Sequence, residues 1–559
     1  MSEQFFTRRQ TSDAPAGTGS QLLQAALAAL VLAIATVLAY HGIDQNAFHF
    51  DDWPNIVDNA SLHMKQFGVD GLLAAVQGAY LPRRPVATLS FAVDWWRGGG
   101  APGAFLTTNL IIHVLTAWAI FAFMLRALTH STRPTAPAVV ACAAAALWWS
   151  VQPIHVQAVS YAVQRMTELA TLFSVLSVWA YLKARASAGR GAALWGVLSA
   201  LTLVLAALSK ENAWIAPLLI LLAEYLVIRN RGSLIRHPRD RLLLALPAIT
   251  VICVLADILF GGPVSQWALS GYGGRSFTLG ERLLTQPKVV LFHVSQILWP
   301  LPERFSLEHD VEIVRSAASW EFWLPMGVIL AWSGAGALLA ARAGTRRAGF
   351  FALWVPVTLF IESSFVPLEM VFEHRMYMPT VGFTGLVAIG LLHAASRGPT
   401  VRTTGIWSAY LLATGVALWS TSERIPQWRT EASLYEQAVR LAPRSARAWN
   451  LLGVANLGQR RDELLTQERY ERALSAFDRA IALNDQYAAP WTNRGVARYL
   501  QGDIPGAETD LKRAISISSR EAAAQHYLGE LYERTGRPLE ARTARRRACA
   551  LGVTPDCNR

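Results

Sequence analysis

The stretch Ala488-Ala489-Pro490-Trp491-Thr492-Asn493-Arg494-Gly495-Val496-Ala497-Arg498-Tyr499-Leu500-Gln501-Gly502 decides the architecture of the carboxyl-terminal part, because its spacing returns. Gly495, Gly502, Ala507 and Ala514 recur 34 residues later as Gly529, Gly536, Ala541 and Ala548. Ala473, Phe477 and Ala480 precede Ala507, Leu511 and Ala514 by the same interval. Small residues stand where two paired helices must touch, and a glycine stands at each turn between them. Further back, Trp449 and Gly453 match Trp491 and Gly495 at 42 residues, so about eight extra residues fall around Arg460–Gln467 relative to a standard repeat. Tyr435 and Ala438 fit the second helix of a partial repeat.

A 34-residue helical period is that of tetratricopeptide repeats, which stack into a solenoid. Such solenoids bind peptides or proteins along a concave face, so chemistry is expected elsewhere. Cys549 and Cys557 are close enough in sequence for a short loop-closing disulfide in an oxidising compartment, whereas Cys142 and Cys253 fall in apolar stretches.

Upstream of the repeats the composition changes. The 559 residues are 53% apolar and only 16% charged, with 20 Trp and a net charge of +12. Soluble domains carry about a quarter charged residues, so a wholly soluble enzyme, a disordered regulator and a disulfide scaffold are excluded. Apolar blocks long enough for a bilayer fall near 20–41, 105–126, 137–154, 165–182, 192–208, 213–229, 242–260, 321–341, 349–366, 379–394 and 404–422. The first is too long for a signal-peptide core and is read as an uncleaved span. Basic links at Arg8–Arg9, Arg126–Arg133, Lys183–Arg190, Arg229–Arg241, Arg342–Arg347 and Arg397–Arg402 are expected on the cytoplasmic side. Residues 283–300, with Pro287, Lys288, His293 and Gln296, would reverse every later link if they crossed. They are read as an amphipathic or re-entrant segment on the outer face. The fold class is therefore all-α: a polytopic bundle of about eleven spans, amino terminus inside, followed by an outer tetratricopeptide-repeat solenoid. The expected divisions are 1–19 (cytoplasmic tail), 20–422 (membrane domain with outer loop 42–104) and 423–559 (repeat domain).

That topology collects the unusual polar residues on the outer side. The first loop carries His49-Phe50-Asp51-Asp52-Trp53-Pro54 and Tyr80-Leu81-Pro82-Arg83-Arg84-Pro85; the second carries Pro153-Ile154-His155-Val156-Gln157, with Arg165 and Glu168 at the next span mouth. Lys210 and Glu211 follow, then Glu308-His309-Asp310, then Glu362, Glu369, Glu373, His374, Arg375 and Tyr377. Charge at a span mouth is costly unless paired or functional. Asp51 and Asp52 should point apart in an extended loop, so that one can be a general base while the other holds structure. Arginine and lysine in one compartment suit an anionic ligand. His49, Asp51 and Asp52 are the nearest approach to a cation site, and their spacing matches no common ligand set. Arg97-Gly98-Gly99-Gly100 and Gly273-Gly274-Arg275 follow no strand, so a phosphate-cradling turn is absent, as is a Gly-x-Ser-x-Gly elbow.

Phe50-Asp51-Asp52, Asn55-Ile56, Asn59, Arg84-Pro85, Asn109, His113, Pro153-Ile154-His155, Arg165, Lys210-Glu211, Leu284-Thr285-Gln286 and Glu373-His374-Arg375-Met376-Tyr377-Met378-Pro379 occur in this order. Together with the repeats, the chain resembles the transmembrane and tetratricopeptide-repeat-containing O-mannosyltransferases of the GT-C class. The resemblance implies an inverting sugar transfer from a polyprenyl-phosphate donor to a protein hydroxyl, Ser or Thr, at the outer membrane face. It implies Asp51 as base with Asp52 as its partner, and Arg84, His155, Arg165, Lys210, Arg375 and Tyr377 toward the donor, with Glu168, Glu211, Glu373 and His374 as further polar residues. The repeats would dock the acceptor or a partner protein. No cofactor beyond the lipid-linked donor is implied, and a divalent metal is left open. Gln157 stands where animal members tend to have an acid, leaving a second carboxylate to Glu168. Arg375 lies two residues before Tyr377 rather than three, an offset that suits a bacterial relative in the inner membrane with periplasmic repeats. A ligase acting on lipid-linked polysaccharide and a non-catalytic repeat scaffold are the alternatives; a scaffold needs no polar cluster at outer span mouths.

Overall fold

The computed structural model describes residues 18–129, 134–228, 271, 272, 275, 277–458, 466–553 and 557. The expected span at 242–260, the basic links at Arg8–Arg9 and Arg229–Arg241, Arg133 and most of the extra repeat residues lie outside that set. All regular structure among the described residues is helical.

Five described helical stretches are long and apolar enough to cross a bilayer: Leu23–Gln45, Pro102–Thr129, Gly189–Ala207, Glu211–Ile228 and Trp320–Ala341. A sixth results if Ala136–Ser150 and Pro153–Val159, bent by 52°, count together. The expected count of about eleven is not confirmed. Arg346–Leu359 has only 14 residues, about 21 Å at 1.5 Å per residue, and Thr380–Ser396 has 17. Arg165–Ala186 buries Arg165 and Glu168 against neighbouring helices, so protein surrounds its first turns.

Helix Leu279–Leu298 covers the ambiguous segment. Thr278 and Glu281 cap its start reciprocally. Its buried side is mixed, with Arg282, Thr285, Gln286, His293 and Gln296 beside Val289, Val290 and Ile297, while Leu283, Leu298 and the adjacent Trp299 are exposed. The helix is not among the described ones long and apolar enough to cross alone.

Contacts sort to two ends of the bundle. At one end Arg126 donates to the Leu182 carbonyl at 3.3 Å, Arg347 donates to the Leu128 carbonyl at 2.5 Å, and Arg185 pairs with Glu224 at 2.9 Å. At the other, His49 lies 2.7 Å from the Trp428 carbonyl, and Arg444 pairs with Glu312 at 3.3 Å. Among the described residues, Arg126, Arg185 and Arg347 thus lie at the end opposite the His49 loop, and the repeats begin at the His49 end.

In the repeats, Gly453, Gly495 and Gly529 occupy equivalent contacts. A Cβ would lie 2.4 Å from Phe477, 2.9 Å from Leu511 and 2.9 Å from Arg545 respectively, so only glycine lets these helices approach. The Trp449 and Trp491 indoles donate to the Pro443 and Asp485 carbonyls at 3.0 and 3.1 Å, repeating one corner of the hairpin. Cys549 and Cys557 are disulfide-bonded. The apolar core does not break at residue 423: Leu434, Tyr435, Leu452, Ala455 and Ala476 belong to the same packed cluster as the membrane helices. The later repeats, from Val496 to Ala544, have a separate core.

Candidate active site

Phe50 and Asp51 form a tight turn that leads into the helical turn Trp53–Val57, not the extended loop expected. Phe50 enters it with φ +43°, the sole positive value at a non-glycine among the described residues, a conformation costing on the order of 1–3 kcal/mol. The two following carboxyls do point apart. Asp51 is exposed; its N–H donates to the Tyr161 hydroxyl at 2.7 Å and its carbonyl accepts from Asn55 at 2.8 Å. Asp52 is fully buried and accepts the backbone N–H groups of His49 at 2.9 Å and Val163 at 2.7 Å. Burial pushes its carboxyl up to about 8, although those two N–H groups pull the other way. Asp52 therefore pins the His49 loop to the Val163 turn, and of the two carboxyls only that of Asp51 is exposed. His49 is engaged by Trp428, so these three side chains form no ligand set, and no three His, Cys, Asp or Glu among the described residues stand placed to hold a metal.

Three of the expected basic residues gather in a second cluster. Arg84 pairs with Glu211 at 2.8 Å, and Lys210 with Glu362 at 2.8 Å while donating to Thr167 at 2.9 Å. Arg375 donates to the Met370 carbonyl at 3.0 Å and to that of Glu369, and its Nε has no partner among the described residues. Two arginines the sequence reading passed over complete the group. Arg275 pairs with Glu369, and Arg282 donates to the carbonyls of Glu362 at 2.7 Å, Ser364 at 3.0 Å and Leu368 at 2.6 Å. Five cations thus face three carboxylates. Burial, then the like charge of Arg282, draws Arg375 down to about 9. Burial lowers Lys210 too, opposed by Glu362. His374 is held well below the ordinary imidazole range by burial and then by Lys210, Arg375 and Arg84, so it stays neutral among them.

The remaining expected residues lie deeper. Arg165 does not join the cationic group: it pairs with Asp94 at 2.5 Å and donates to Asn109 at 2.8 Å and the Phe105 carbonyl at 2.7 Å, with its guanidinium 4.8 Å from the Phe91 ring. It locks three helices and has no open face. Tyr377 and His155 also stand apart from the cations. They pack in a buried cluster of rings with Tyr40, His113 and Trp149, ring centres 4.6–6.0 Å apart. There the Tyr377 hydroxyl meets His113 Nδ1 at 2.7 Å and Glu168 at 3.5 Å. Glu168 is wholly buried and supplies no acid at the surface. Gln157 accepts from the His374 N–H at 2.9 Å, taking a positioning part. Glu373 pairs with Arg424 at 2.8 Å, anchoring the Glu373–Met378 segment to the last helix before the repeats.

The tetratricopeptide-repeat family model matches residues 432–464 and 462–522. The chain is similar to Protein O-mannosyl-transferase TMTC3 of Mus musculus, 22% identical over 529 residues covering 86% of this chain and 52% of that protein. It is also similar to Protein O-mannosyl-transferase TMTC4 of Homo sapiens, 24% identical over 492 residues, 78% of this chain and 64% of that one. Its repeats alone match Tetratricopeptide repeat protein 36 of Homo sapiens, 42% identical over 84 residues, 14% of this chain and 44% of that protein. The chain spans about half the length of the first of these relatives. The resemblance to transmembrane, repeat-bearing O-mannosyltransferases therefore extends through both the helical bundle and the repeats.

Proposed function

We propose that the chain is a membrane glycosyltransferase of the GT-C class, taking a sugar from a polyprenyl-phosphate donor to a Ser or Thr hydroxyl of an extracytoplasmic protein. The observation that carries this is the pairing of an exposed carboxyl, Asp51, on a strained turn with a partly uncompensated cation cluster at the same end of the bundle. Asp51 takes the acceptor hydroxyl proton as its oxygen attacks the anomeric carbon. The bond from that carbon to the phosphate oxygen breaks with its electron pair, and a single displacement inverts the centre. Arg84, Lys210 and Arg375 stabilise the charge that develops on the departing polyprenyl phosphate, the electrostatic contribution that is often largest. The unpaired Arg375 Nε is a ready donor to a phosphate oxygen.

The polar end would face the periplasm of a bacterial inner membrane, with the repeats outside and the basic links in the cytoplasm. The Cys549–Cys557 disulfide supports this sidedness, because such bonds persist in oxidising compartments. The later repeats, whose core is separate, would engage the acceptor and raise its local concentration. Two experiments test the reading. Mass spectrometry of extracytoplasmic proteins from a deletion strain should show a hexose-sized mass vanish from particular Ser/Thr peptides; an unchanged set of glycopeptides contradicts protein transfer. A carboxyl-terminal reporter active only outside the cytosol should be active, and a cytosolic tail contradicts the scheme.

A further inference from the structure

Phe50, whose strained backbone sets the direction of Asp51, is held by the repeat domain. Tyr435 meets its ring edge-on at 5.6 Å between centres, and the Arg447 guanidinium lies 5.6 Å from its ring centre. Arg447 is the second residue of helix Ala446–Leu457, which begins the first full repeat. Its guanidinium also reaches Glu308 at 3.4 Å and Glu369 at 3.0 Å. Glu369 is the acid that pairs with Arg275 and whose carbonyl accepts from Arg375. One planar group thus touches the Asp51 turn, the Glu308 loop and the edge of the cation cluster, three segments far apart in sequence. The Arg447 side chain is 32% exposed, and ion pairs that wet contribute little to stability. What a fork with a flat face does supply is fixed geometry, stacking on a ring while its edge bridges two carboxylates.

We propose that Arg447 is a positioning residue that sets the separation between Asp51 and the cation cluster, so that the first repeat is part of the reacting centre's framework. This rests on the proposed glycosyl transfer, and its signature differs from acceptor docking because it governs acceptors too short to touch the repeats. The test uses the full chain in nanodiscs with polyprenyl-phosphate mannose and a short Ser/Thr peptide. Arg447→Ala should lower kcat on the peptide about tenfold or more, as misplacement of reacting groups does, with the donor KM little changed. Arg447→Lys, which keeps the charge and loses the fork, should recover only part. Unchanged peptide kcat with a raised KM for a whole protein acceptor would overturn the proposal, as would equal loss in both variants with loss of folding. Amide exchange gives an arm independent of transfer. Arg447→Ala should speed exchange at residues 50–58 and 366–372 and leave 488–550 as in the wild type; unaltered exchange at 50–58 overturns the proposal. A wild-type chain that transfers nothing, with Arg447→Ala still speeding exchange at 50–58 and 366–372, would contradict the glycosyltransferase reading and leave the positioning role standing.

Discussion

The carboxyl of Asp51 stands exposed, while that of Asp52, one residue on, is wholly buried and holds the N–H of Val163 at 2.7 Å. Two identical side chains at adjacent positions are therefore open to different tests. Asp52→Asn leaves one of the two buried N–H groups without an acceptor, which costs about 1–3 kcal/mol. Thermal unfolding in detergent should show that loss for Asp52→Asn and an unchanged midpoint for Asp51→Asn.

Arg375 carries the clearest expected link to the donor. Arg375→Ala removes a charge-assisted donor worth about 1.5–3 kcal/mol, so donor KM should rise about tenfold to a hundredfold. Titrating the polyprenyl-phosphate sugar at saturating peptide checks this. Donor affinity equal to wild type removes Arg375 from the site.

His374 makes stability depend on pH in a stated direction. Burial and the charges of Lys210 and Arg375 hold its folded pKa well below 6.5, so the unfolded chain binds more protons in that window. Stability is present above about 6.5 and is lost as pH falls below it, by about 1.4 kcal/mol per unit at most from this one group. His374→Asn should flatten the acid side of an unfolding profile between pH 7.5 and 5, and a slope as steep as wild type would assign the loss to other groups.

Because the core passes unbroken from the bundle into the first repeat, truncation separates two roles. Removing the chain after residue 428 strips Tyr435 and Arg447 from Phe50 and should abolish transfer to any acceptor. Removing it after residue 484 should spare a short peptide and impair a whole protein. Equal loss in both truncations, on both substrates, would mean that the later repeats serve folding.

The repeats were legible because glycine and alanine at a fixed interval have a single physical use, close helix contact, and Gly453, Gly495 and Gly529 are used that way. Placement of Arg126, Arg347 and Arg185 at the end opposite the His49 loop was legible for the same reason of simple rules. The span count was not, since hydropathy assumes lipid on every side and protein surrounds the first turns of helices such as Arg165–Ala186. Pairwise geometry was hidden too. Nothing in Asp51-Asp52 says which carboxyl meets an N–H 111 residues away, and Arg165 in its motif does not reveal Asp94 as its partner. Arg282 stands one residue before the 283–300 segment, and Arg447 two before Trp449, where hydropathy and the repeat period carry no information about a cation's partners.

The most direct test of the account is transfer of labelled sugar from polyprenyl-phosphate mannose to a Ser/Thr peptide by the purified full chain, wild type against Asp51→Asn. The account predicts transfer by the wild type and a loss of a hundredfold or more in kcat for Asp51→Asn, the range for removal of a general base. Transfer by Asp51→Asn at the wild-type rate would contradict it.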